Sequence, residues 1–200
     1  MKNLIFIIIL FAALIFSMNA FSSELDSSEC KSKPIDKERS FTKNLEGVFN
    51  GKKLTYSASL KEKILYEKDD PSAPLASFFY SEYLVESNEN RPVMFVFNGG
   101  PGSASLWLHM GVLGPKVVKV PSDASDDGSA PYKIVDNKLS PLSDTDMVFI
   151  DPVGTGYSRA AGCHEGSEFW GVNEDPKIIA EFIRRWITDS KRWNSPKYIL

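Results

Sequence analysis

The run Arg91-Pro92-Val93-Met94-Phe95-Val96-Phe97-Asn98-Gly99-Gly100-Pro101-Gly102-Ser103-Ala104-Ser105 decides how the rest of the chain is read. Val93 to Phe97 is a short, nearly continuous apolar stretch of valine, methionine and phenylalanine bounded by Pro92 and by glycines. That pattern predicts a strand buried on both faces. The chain must then turn sharply. Gly99, Gly100 and Gly102 permit positive φ and let main-chain N–H groups approach a ligand, while Pro101 stiffens the turn. Ser103 or Ser105 is placed to cap a helix running through Leu106, Trp107, His109 and Met110, which would gather donors near a positive helix end. Such a loop suits a developing oxyanion. An ordinary strand-to-helix turn has the same composition, so the motif alone leaves both readings open.

Around this run the pattern is that of an α/β chain. Leu54, Tyr56, Ala58 and Leu60 alternate with polar residues and Ala76 to Val85 is rich in aromatics, predicting two half-exposed strands. Asp69-Asp70-Pro71 and Ser87-Asn88-Glu89-Asn90 supply turns. Downstream, a helix ends near Gly114-Pro115, a polar loop spans Ser122 to Ser129, and Asp146 to Asp151 forms another apolar strand. Gly171 to Ser190 reads as a helix with Asp175 as cap and Pro176 in its first turn; Ile179, Phe182, Ile183, Trp186 and Ile187 recur at helical spacing and form its core stripe. Asn194-Ser195-Pro196 breaks the chain before Lys197 to Leu200 begins a further strand. The order predicts a mostly parallel sheet with an N-terminal antiparallel hairpin at one edge.

With 200 residues, 42% hydrophobic and 24% charged, the chain has globular composition of about one domain. A net charge of −3 with scattered lysines and arginines argues against nucleic acid as a partner. Lys2 before the apolar run Leu4 to Phe16, with small residues near Ala20, predicts a secretory signal peptide over residues 1–20. The run is shorter than the ~20 residues a spanning helix needs, which favours a cleaved leader over an anchor. A polar segment over 21–40 and a domain over 41–200 follow, and the protein is expected to be exported, periplasmic or secreted, with no membrane association after cleavage. Cys30 and Cys163 are the only cysteines, and in an exported protein two are able to pair. With His109 and His164 they form no ligand cluster, so no metal site is expected.

Two motifs in order, Asn98-Gly99-Gly100-Pro101-Gly102-Ser103-Ala104-Ser105-Leu106 with Leu113-Gly114-Pro115 after it, and Phe149-Ile150-Asp151-Pro152-Val153-Gly154-Thr155-Gly156-Tyr157-Ser158, resemble the serine carboxypeptidase family of α/β-hydrolases. The resemblance runs from about Phe41 to Leu200. It implies an α/β-hydrolase-like sheet, incomplete at the C-terminus, and a hydrolase that removes a C-terminal residue from a peptide through an acyl-enzyme, with no cofactor. By the same resemblance, Gly100 gives an oxyanion-hole N–H, Asn98 helps hold the substrate's terminal carboxylate, and Gly99 gives close support.

The family's Gly-Glu-Ser-Tyr nucleophile motif would begin after Leu200, so the nucleophilic serine and the later acid and histidine are expected outside the chain, and residues 1–200 alone are expected to be inactive. Gly156-Tyr157-Ser158-Arg159-Ala160 approaches the G-x-S-x-G elbow, but it lies in a loop rather than on a strand-to-helix turn, so Ser158 is not expected to be the nucleophile. His109 lies upstream of the expected serine and is read as a helix-packing or surface residue instead of a catalytic base, and His164 has no obvious acid partner. Val112 stands where the family often has a glutamate that binds the terminal carboxylate, and Ser103 where it often has a cysteine. Two other readings remain: a secreted peptide-binding protein without catalysis, and an acyltransferase or esterase on the same fold.

Overall fold

A computed structural model of the chain describes residues 37–87, 90–99, 102–120, 123 and 130–200. The predicted leader, Cys30, Gly100 and most of the Ser122–Ser129 loop lie outside the described residues.

Ser40–Phe49 (β1), Lys52–Tyr66 (β2) and Pro74–Val85 (β3) form an antiparallel meander. The first reversal is tight because Asn50 and Gly51 both take positive φ, at 48° and 79°. Val93–Val96 (β4) then enters the sheet. After it come the short helix Leu106–Leu108 (α1), its π-helical continuation His109–Leu113, and a small antiparallel pair, Lys116–Val118 (β5) with Ile134–Asp136 (β6). Asp146–Ile150 (β7), Arg159–Ala160 (β8), Glu174–Asp189 (α2) and Lys197–Ile199 (β9) complete the order.

The main sheet runs β1-β2-β3-β7-β4-β9, with β8 on the end of β3. β4 pairs in parallel with both β7 and β9, whereas β3 pairs with β7 antiparallel. The sheet is therefore mixed: parallel where β4 sits and antiparallel through three N-terminal strands instead of a two-stranded hairpin. β1 escaped the sequence reading because most of its residues are exposed and show no apolar alternation. β3, expected as half-exposed, buries Ala76, Phe78, Tyr80, Ser81 and Glu82 and leaves its other residues partly accessible.

Alternation along the strands feeds two cores. Phe95, Val148 and Ile150 face α2 with Phe78 and Tyr80, while Val96, Met147 and Phe149 face Phe49, Tyr56 and Leu142. Helix α2 buries Ile178, Ile179, Phe182, Trp186 and Ile187, the expected stripe with Ile178 added and Ile183 at its margin. Phe182 meets the rings of Phe78 and Tyr80 at 5.0 and 5.1 Å, and Trp186 meets Phe95 edge-on at 5.3 Å. Trp186 also donates its indole N–H to the buried carboxylate of Glu82 at 2.9 Å, whose other oxygen takes the Lys61 ammonium at 2.5 Å. The helix starts from Asn173, not Asp175, and no side chain caps it.

At the entry ends of the parallel strands lies a buried charge hub. The Asp146 carboxylate, 1% exposed, receives Arg91 Nε at 3.1 Å, Arg192 Nη1 at 3.0 Å and the Val85 N–H at 3.0 Å. Arg192 also donates to the Arg91 carbonyl and to Ser195 Oγ, which in turn donates to Asn90 Oδ1. The segments leading into β4, β7 and β9 are thereby tied to one carboxylate.

Candidate functional site

At the opposite end of the sheet, where β4 and β7 finish, the chain builds its glycine loop. Phe97 N–H donates to the Leu200 carbonyl at 3.0 Å, and Leu200 N–H donates to Phe95 O at 3.0 Å, so the exit of β9 lies directly beside the exit of β4. Asn98 follows. Its N–H reaches Ser105 Oγ at 3.3 Å, and its Nδ2 makes only a long bond to Ser103 Oγ at 3.4 Å. The Asn98 Oδ1 is buried with no hydrogen-bond partner among the described residues. A buried amide oxygen without a donor is costly, which marks this side chain as having capacity to spare. Gly99 is exposed, Gly102 takes φ of 111°, and Gly100 lies outside the described residues.

Ser105 occupies the N-cap position of α1 but makes no capping bond with its side chain. Its hydroxyl instead donates to the Ile150 carbonyl, and its N–H donates to Asp151 Oδ1 at 2.9 Å. The loop is therefore stitched to the end of β7. Burial raises the Asp151 pKa, partly offset by the Ser105 N–H. Beyond α1 the π turn closes with Gly114 N–H on His109 O at 2.8 Å. Asn137 Nδ2 covers the carbonyls of Val112 and Gly114, and Ser140 Oγ covers that of Leu113, so the freed helix-end acceptors are satisfied. Val112 itself is exposed.

The second motif forms a tight loop against the first. Gly154 and Gly156 have φ of 89° and 50°, and a Cβ on Gly156 would lie 2.0 Å from Asp151 Oδ2. Ser158 is fully buried; its hydroxyl donates to Asp151 O at 2.7 Å and accepts the Phe79 N–H at 2.8 Å. Both capacities of that hydroxyl are spent on backbone. It is a structural pin between β3 and the loop.

The hydrogen bond of His109 goes to a tyrosine and not to a serine hydroxyl. His109 Nε2 is 2.6 Å from Tyr83 Oη, and its ring stacks on Phe149 at 4.3 Å and 21°. Burial pulls the His109 pKa down to about 4 and pushes Tyr83 up to about 12. His164, expected to lack an acid partner, sits between two: Glu67 Oε1 and Glu168 Oε2, each at 2.8 Å. The sequence hid Glu67, which follows β2 and is far away along the chain, whereas Glu168 stands only four residues on. Cys163 is disulfide-bonded. No group of three or more His, Cys, Asp or Glu among the described residues is arranged to hold a metal ion, and no described helix is long and apolar enough to cross a membrane.

The comparison with curated proteins returned no match. The family model for serine carboxypeptidase matches residues 66–200, which takes in β3, both glycine motifs and every later element, and begins downstream of the Phe41 expected from the motifs. A match over two thirds of the chain makes this chain a member of the serine carboxypeptidase family.

Proposed function

We propose that this protein takes part in removal of a C-terminal residue from peptides by acyl-enzyme chemistry, and that residues 1–200 supply the substrate-carboxylate and oxyanion half of the site. In this proposal Gly100 supplies an N–H to the oxyanion, Asn98 holds the terminal carboxylate, and Gly99 allows the substrate close approach. The serine, acid and histidine come from outside residues 1–200. In that reaction a serine oxygen adds to the scissile carbonyl and its proton passes to a histidine. The tetrahedral adduct then collapses as the histidine protonates the leaving amine, and water later releases the acyl group.

The observation that carries this reading is the pairing of Phe97 with Leu200, because a turn following β9 would emerge next to Asn98. The spent hydroxyl of Ser158 and the engaged rings of His109 and His164 support an external triad. The peptide substrate and an exported location with a cleaved leader over residues 1–20 belong to the same proposal.

A chain extended by the coding sequence after Leu200, expected to begin Gly-Glu-Ser-Tyr, should hydrolyse an N-acyl dipeptide with a free carboxylate and leave its amide intact. Asn98→Ala in that chain should raise KM for the free acid by about tenfold, the worth of one charge-assisted hydrogen bond. Residues 1–200 alone should give no turnover. Turnover by residues 1–200 that survives Ser158→Ala would overturn the external-triad assignment.

A further inference from the structure

Beside α1 lies a cleft of about 350 Å3 for which the proposed reaction has no use. Its lining includes the aromatic residues Phe79, Phe149 and Tyr157 and the thioether residue Met110, and among its polar residues are His109, Asp151, Ser81 and Ser105. His109 and Asp151 are held rigid, and both have hydrogen-bonding capacity left.

For His109 the protonation follows from the network. Tyr83 Oη carries a hydrogen that needs an acceptor, and among the described residues the only acceptor bonded to it is His109 Nε2. A neutral imidazole that accepts at Nε2 carries its proton on Nδ1. That Nδ1–H makes no hydrogen bond among the described residues, and stacking on Phe149 fixes the plane in which it points. For Asp151, Oδ1 accepts the Ser105 N–H, whereas Oδ2 lies against Gly156 and accepts no hydrogen bond among the described residues.

The lining of one apolar cleft thus includes both a residue with an idle donor and a residue with an idle carboxylate oxygen. A ligand that satisfies both with one atom must donate and accept at once, as a hydroxyl does. A ligand carboxylate would be repelled by Asp151, and an ammonium would leave the His109 N–H unmet. The aromatic lining residues favour a flat ring as the body of the ligand. Space is sufficient, since an apolar cavity of about 150 Å3 already admits benzene. We propose that this cleft is a binding site for a phenolic ring, whose hydroxyl donates to Asp151 and accepts from the Nδ1–H of His109. This assignment is independent of the peptidase reading, because it requires binding and no turnover.

The test is a titration of residues 1–200 with p-cresol and, separately, toluene, followed by amide chemical shifts. Ser105 and Gly156 are the built-in reporters, the one donating to Asp151 and the other packed on it. p-Cresol should move both amides and bind at least tenfold tighter than toluene. His109→Phe keeps a ring for the stack and removes the donor, so p-cresol should fall to within about twofold of toluene; Asp151→Asn should give the same loss. Met110→Trp, which fills the cleft, should abolish shifts from both compounds. N-acetyltyrosinamide separates the two sources of a phenol: binding like that of p-cresol identifies a tyrosine side chain as ligand, and its failure identifies a small free phenol. Equal binding of p-cresol and toluene by the unmodified chain, no binding of p-cresol, or shifts that bypass Ser105 and Gly156 each overturns the proposal without reference to any variant.

Discussion

Replacing Asp146 with alanine should be the most damaging single change at the entry end of the sheet. The carboxylate is 1% exposed and answers three donors: Arg91 Nε, Arg192 Nη1 and the Val85 N–H. The two arginine side chains are only 13% and 21% exposed, so water cannot take over the lost role without opening the structure. Breaking a buried pair by deleting one partner costs about 3–5 kcal/mol, because the charge left behind is uncompensated. At about 2–4 °C per kcal/mol for a chain of this size, the midpoint of thermal unfolding should fall by roughly 6–20 °C. Urea unfolding followed by circular dichroism measures the same quantity, and the loss should appear in the midpoint with the slope unchanged. Arg192→Ala and the double variant complete a cycle whose coupling should exceed about 1 kcal/mol, since the two residues share one bond network. A loss under about 1 kcal/mol for Asp146→Ala, or additive single effects, would refute the hub.

Further expectations concern the loops and the buried polar groups. Ser158→Ala should cost about 1–3 kcal/mol in urea unfolding, because it strands the Phe79 N–H and the Asp151 carbonyl in a buried setting. Gly156→Ala should destabilise by about 1–3 kcal/mol, combining a positive φ with a Cβ that collides with Asp151 Oδ2, and calorimetry should show the lowered midpoint. His109 is held near pKa 4, below the ~6.5 of an unfolded chain. The unfolded state therefore binds the extra proton first, so the stability contributed by neutral His109 is full above pH 6.5 and is lost as pH falls toward 4. The loss is about 3 kcal/mol; it should be missing from the His109→Phe stability profile and so appear in the difference between the parent and variant profiles. Glu82→Ala should cost about 3–5 kcal/mol by leaving the Lys61 ammonium and the Trp186 indole N–H without their acceptor, read by urea unfolding.

Much of the frame was legible from periodicity. Val93–Val96, Asp146–Ile150 and the stripe of α2 follow directly from apolar runs and helical spacing, because burial on both faces or on one stripe leaves a local signature. β1 left none, since it is exposed along most of its length, and its membership comes from pairing with β2. The candidate site divides in the same way. Glycines at 154 and 156 announce a strained loop in sequence, but that Ser158 pins β3 and that Ser105 ties the glycine loop to β7 depends on partners at 79, 150 and 151. The Asp146 hub and the Glu67–His164 contact unite residues far apart in the chain, and no local pattern encodes such meetings.

The position of the Asp146 hub has an evolutionary consequence. It fastens β4, β7 and β9 where they begin, while the glycine loop and the Asp151 turn occupy the ends where strands stop. Four residue steps along β7 separate the two, about 13 Å at strand rise. Substitutions that far apart with no shared partner act additively. Positions in the crown loops that carry no such pin are thus free to change and acquire new ligands while the fold's anchorage, sited at its foot, stays untouched.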